Sequence, residues 1–122
     1  MPLHTATIQM VSGTSVDANL AAARALLEQA AHAGAELAVL PEYFCVMGRQ
    51  DTDKLAVAES PDDGPIQAFL ARAARELGLW VVGGTLPLRT QDPARVRNAT
   101  LAYSPEGLRV ARYDKIHLFR FD

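Results

Sequence analysis

Cysteine is nearly absent: Cys45 is the only one in 122 residues. An internal disulfide is therefore excluded, which fits a reducing compartment. No apolar run approaches the ~20 residues that a membrane-crossing helix needs. An excess of either charge is missing too, with 12 Lys and Arg against 14 Asp and Glu and a formal net charge of -2. The chain thus lacks the electrostatic footprint of a nucleic-acid or anionic-membrane binder. Met1-Pro2-Leu3-His4 has neither the basic start nor the apolar segment of a signal peptide, so a cytoplasmic setting is expected. His4, His32 and His117 have no metal-ligand spacing. Gly83-Gly84 is followed by no nucleotide-loop pattern. No metal or other cofactor is expected. Internal repeats and low-complexity segments are also absent.

What is present is ordinary for a globular domain: 49% hydrophobic and 21% charged residues, enough for one modest core. The most informative stretch is Glu36-Leu37-Ala38-Val39-Leu40-Pro41-Glu42-Tyr43-Phe44. Leu37 to Leu40 is an apolar run without polar alternation, as expected of a strand covered on both faces. Pro41 cannot donate to a ladder and should end it. Glu42 then lies just past the carboxyl end of a strand, the edge where open α/β sheets bind ligands. Among aromatic and aliphatic neighbours, its carboxylate is expected to be poorly solvated. That would raise its pKa and make it a better base near neutral pH.

The rest of the chain alternates strand and helix signals. His4 to Val11 is rich in β-branched residues and reads as a first strand. Ser15 or Asp17 can cap a helix running to about Ala33, with Leu20, Ala23, Leu27 and Ala30 as its buried stripe and Gly34 as its stop. Strand, helix and the Leu37–Leu40 strand together predict two parallel strands joined by a right-handed crossover. Asp53 to Glu59 suggests a short helix. Pro65 to Leu77 is the clearest helix, with Ile66, Phe69, Leu70, Ala73, Ala74 and Leu77 on one face and Gly78 at its end. Leu79 to Thr85 reads as a buried strand, Pro87 to Arg97 as a polar loop. Asn98–Tyr103 and Leu108–Tyr113 form an antiparallel pair around the turn Ser104-Pro105-Glu106-Gly107. Asp114-Lys115-Ile116-His117-Leu118-Phe119 then sets a lysine and a histidine on alternate positions among apolar residues.

Two of these stretches resemble motifs of the nitrilase, or carbon–nitrogen hydrolase, superfamily. Leu40-Pro41-Glu42-Tyr43-Phe44 is similar to its glutamate motif, and Tyr113-Asp114-Lys115-Ile116-His117-Leu118-Phe119 to its lysine motif. The order of the other elements is similar from about His4 to Asp122. The flavour is that of amidases acting on ω-amides or deaminated glutathione. The resemblance implies an α/β fold, here part of an α-β-β-α sandwich. It implies Glu42 as general base and Lys115 as its cationic partner. Tyr43 and Phe44, beside Glu42, and His117, two residues after Lys115 on the same strand face, are the candidates to line the substrate pocket, with packing or hydrogen bonding in a core an equal reading for His117. It also implies a small-molecule amide or nitrile substrate, no metal, and a homo-oligomer for the full-length form.

In the family the nucleophilic cysteine lies beyond the lysine motif, and nothing follows Asp122 in this sequence. Residues 1–122 are therefore expected to be a single incomplete domain, inactive alone. A non-catalytic module associating with full-length relatives is the alternative. Cys45 lacks the family's nucleophile context, and its expected role is that of a small apolar filler near the pocket. A thiol enzyme built on Cys45 and Glu42 is a third and weaker reading.

Overall fold

The computed structural model describes residues 2–50 and 52–115. Strand β1 is Thr5–Thr7, shorter than its β-branched run suggests. Helix α1, Val16–His32, starts at Ser15, whose hydroxyl accepts from the Ala18 N–H at 3.2 Å. That bond satisfies one of the free donors of the first turn. The inward stripe of α1 is Asn19, Ala23, Leu27 and Ala30. Asn19 rather than Leu20 holds its first position, because the Asn19 amide donates to the Gly13 and Cys45 carbonyls, each at 2.8 Å. His32 is exposed in the last turn, and His4 is exposed ahead of β1.

Strand β2, Leu37–Val39, pairs parallel with β1 and with β3, Trp80–Val82. Between them lie α2, Thr52–Val57, and α3, Pro65–Leu77. Helix α3 has the bounds expected of its apolar spacing: Pro65 opens it, Gly78 closes it, and Ile66, Leu70, Ala73 and Ala74 are buried. Each large aliphatic so buried contributes about 1.5–3 kcal/mol.

Glu59 fixes the start of α3. Its carboxylate is buried and accepts from the Ile66 N–H at 2.6 Å and from the Gln67 N–H and Nε2 at 3.1 Å each. A carboxylate is the favoured group at a helix N-terminus, where free N–H groups converge. Gly64 makes room for it at φ 143°, since a Cβ there would fall on the Glu59 carboxyl group.

The expected polar loop from Pro87 to Arg97 is strand at both ends, and only residues 90–95 remain as loop. Strand β4, Leu86–Arg89, pairs antiparallel with β5, Val96–Tyr103. Pro87 is tolerated because its carbonyl is the useful group, accepting from the Glu59 N–H at 3.2 Å. Strand β6, Arg109–Asp114, pairs antiparallel with β5. Strands β3 and β4 lie along one side of β5 and β6 along the other, and the sheet runs β1-β2-β3-β5-β4 with β6 added to β5.

Register places Ala38, Val81 and Tyr103 in one buried row across β2, β3 and β5. Helices α1 and α3 pack against each other, and α3 also meets β3 and β5. The opposite row of Val39, Val82 and Ala102 is half-buried, and Trp80 is exposed on that face. Strand β2 is thus fully buried on one face only, where the unbroken apolar run suggested burial on both. The architecture is a mixed α/β fold in which helices pack on a sheet.

Candidate active site

The carboxyl ends of β2 and β3 come together at Glu42. Beyond Val39 the Leu40 N–H still donates to the Val82 carbonyl at 2.9 Å, and Pro41 then takes the chain out of the ladder. Gly84, just past β3, is at φ 57°; a Cβ there would collide with the Pro41 carbonyl and sit 2.9 Å from the Leu40 oxygen. Only glycine lets the two strand ends approach this closely. Tyr43 follows in the left-handed region at φ 49°, and its N–H is held by Thr85 Oγ1 at 2.8 Å. The turn carrying Glu42 is therefore pinned from β3 on both sides.

Lys115, immediately after β6, meets it from across the sheet. Its main-chain N–H donates to the Asn98 carbonyl at 2.8 Å. Its Nζ donates to Glu42 Oε2, also at 2.8 Å. Asn98 Nδ2 makes a longer bond, 3.4 Å, to the same oxygen. Among the described residues, Oε1 receives no donor. The two side chains of the ion pair are 54% exposed for Glu42 and 35% for Lys115. A pair this open contributes about 0–1 kcal/mol to stability, so stability does not account for its geometry.

Burial was expected to raise the Glu42 pKa, and the structure reverses the sign. The hydrogen bond from Lys115 is the largest influence and lowers it; desolvation opposes this and loses, while the charges of Lys115 and Lys54 and the bond from Asn98 add to the lowering. The carboxylate is ionised at neutral pH and ready to accept a proton.

The pair opens into a groove of about 840 Å³ lined by Glu42, Tyr43, Lys54, Arg97, Asn98 and Lys115 among others. Tyr43 lines this groove, with Lys54 Nζ 4.1 Å from its ring centroid. Phe44 does not. It is fully buried in the core, with its ring 6.4 Å from that of Phe69. The left-handed Tyr43 turns the chain, so the two aromatics part company. Cys45 is fully buried, and burial pushes its thiol up to about 12. His117 lies outside the described residues.

Three residues at the site were not singled out from sequence. Gly84 was considered with Gly83 as a nucleotide-loop candidate, and set aside. Thr85 closed a strand, and Asn98 only opened one. The sole signal for Asn98 was a polar residue at the start of an otherwise apolar strand.

Residues 4–122 match the carbon-nitrogen hydrolase family. The deaminated glutathione amidase of Yersinia enterocolitica is 30% identical over 120 residues, which are 98% of this chain and 41% of that protein. The deaminated glutathione amidase of Synechocystis sp. (strain PCC 6803 / GT-S) is 33% identical over 119 residues, 97% of this chain and 43% of that one. The chain thus spans about two fifths of the length of these curated relatives. The crystal structure of Saccharomyces cerevisiae Nit3, of the nitrilase superfamily, superposes with a TM-score of 0.74 at 25% identity, covering 87% of this chain and 41% of that one. The matched span takes in the first strand, the Glu42 turn and Lys115, and on that ground the chain belongs to the carbon-nitrogen hydrolase family.

Proposed function

We propose that Glu42 and Lys115 are the general base and the cationic stabiliser of a hydrolase that cleaves a non-peptide amide or nitrile through a thioester. The observation that carries this reading is the 2.8 Å contact between Lys115 Nζ and Glu42 Oε2 at the mouth of an open groove. Family membership supplies the reaction class. The nucleophile is a thiol from outside these 122 residues, because Cys45 is buried and protonated.

The steps follow from the charges. Glu42 takes the thiol proton, and the thiolate attacks the amide carbon. Negative charge develops on the carbonyl oxygen, where the Lys115 ammonium stabilises it; one such positioned donor is worth about 10²–10³ in rate. As Lys115 turns to that oxygen its hold on Glu42 weakens, and the carboxyl group becomes more basic as the reaction proceeds. The tetrahedral adduct collapses, and ammonia leaves with the proton returned by Glu42. Water, deprotonated by the same carboxylate, then hydrolyses the thioester to acid and free thiol. No step calls on a metal.

Lys54, Arg95 and Arg97 also line the groove. They favour an amide whose acyl part carries a carboxylate. Ammonia release from a panel of small acidic and neutral amides and nitriles, by the protein as it occurs in its source, tests the function. Turnover of acidic amides supports it; no turnover of any amide or nitrile overturns it.

A further inference from the structure

We propose that Asn98 is a positioning residue that, with Lys115, holds the Glu42 carboxylate in the rotation that leaves Oε1 to accept the proton, a role resting on the reading of Glu42 as the base. Asn98 is 5% exposed and sits in β5 opposite Pro87 of β4. It reaches both members of the charged pair. Its carbonyl accepts from the Lys115 main-chain N–H at 2.8 Å, and its side-chain Nδ2 donates to Glu42 Oε2 at 3.4 Å. One residue therefore sets the place of the lysine through its backbone and the rotation of the carboxylate through its side chain.

The other half of the amide makes a structural role hard to sustain. Asn98 Oδ1 is buried and has no hydrogen-bond partner among the described residues. Buried polar side chains are normally satisfied, and an unpaired acceptor is a net cost to the fold. Turning the amide over would set Oδ1 against the carboxylate, acceptor against acceptor. Among the described residues the group is thus held at a loss, with its donor directed at Glu42. Both donors, Nζ of Lys115 and Nδ2 of Asn98, converge on Oε2. Oε1 is left free of donors among the described residues, and it is the oxygen able to take a proton without first breaking a bond.

The test does not depend on turnover. The Glu42 side-chain carboxyl carbon is titrated by ¹³C NMR in the wild-type chain, in Asn98→Leu and in Asn98→Asp, with thermal unfolding recorded for each. Asn98→Leu is expected to move the Glu42 midpoint upward with an unfolding temperature unchanged or raised. Asn98→Asp is expected to move it further, since a like charge replaces the donor, and it keeps the side-chain shape should the leucine variant fail to fold. A Glu42 midpoint equal to wild type in a folded variant overturns the proposal. So does an unfolding temperature that drops in Asn98→Leu with no change in midpoint. Either result leaves Glu42 as base untouched, because that role is read from turnover. In the turning-over protein, Asn98→Leu is expected to lower kcat about tenfold or more with KM little changed.

Discussion

Lys115 Nζ and Glu42 Oε2 are 2.8 Å apart, although 73 residues separate them in sequence. Two independent devices bring them together. The close approach of Gly84 to Pro41 fixes the glutamate, and the pairing of β5 with β6 carries the lysine to the same end of the sheet.

Removing the lysine charge should change the glutamate before anything else. In Lys115→Met the Glu42 pKa is expected to rise toward its ordinary value of 4.5, because the largest cause of its lowering is gone. Carboxyl-carbon NMR titration measures it. The sign for stability follows. A native pKa below the unfolded one stabilises above pH 4.5, and that contribution is lost as pH falls through the native value. The pair is largely solvated, so the loss in acid stays under about 1 kcal/mol.

Gly84→Ala should be among the most damaging single methyl additions in the chain. Its Cβ would overlap the Pro41 carbonyl, and alanine is strained at φ 57°. The expected loss is about 2 kcal/mol or more, read by urea unfolding. The surviving native state should show a shifted Tyr43 amide resonance, as its bond to Thr85 is disturbed.

Much of this framework was legible in sequence. Helix α3 carries its own punctuation in Pro65, an apolar stripe and Gly78, and local signals of that kind survive folding. Glu42 was legible from its place past a strand end as well as from its motif, and Lys115 from its motif; no local pattern says that they touch. Strand β4 was missed because Pro87 and the polar residues after it imitate a loop, while the reason it pairs lies in Glu59 and β5, distant in sequence. The sign of the Glu42 shift was misread for a related reason. Neighbours in sequence predicted desolvation, whereas the ammonium that outweighs it comes from the far end of the chain. Phe44 went into the core because a left-handed residue precedes it, and tyrosine carries no signal for that conformation.

The buried Glu59 carboxylate should matter more to the fold than the exposed Glu42. Glu59→Ala strands the Ile66 and Gln67 donors at the start of α3. A loss of about 2–3 kcal/mol is expected, with Glu42→Gln close to neutral by the same unfolding assay. Equal effects from the two substitutions would contradict the assignment of one as structural and the other as chemical.

Cys45 should be inert in the folded chain. With its thiol pushed up to about 12 and no exposed surface, iodoacetamide labelling at pH 8 is expected to run at least about a hundredfold slower than for free cysteine, and to become normal in denaturant. Fast labelling of the native chain would revive Cys45 as a nucleophile.

The most direct test of the central claim is the turnover of Glu42→Gln in the protein as it occurs in its source. The variant keeps the size of the side chain and one acceptor oxygen for Lys115, and removes both its negative charge and its capacity to take a proton. A fall in kcat of about 10³ or more is expected, with an unfolding temperature close to wild type. Amide hydrolysis near the wild-type rate in a folded Glu42→Gln protein would contradict the role given to this carboxylate.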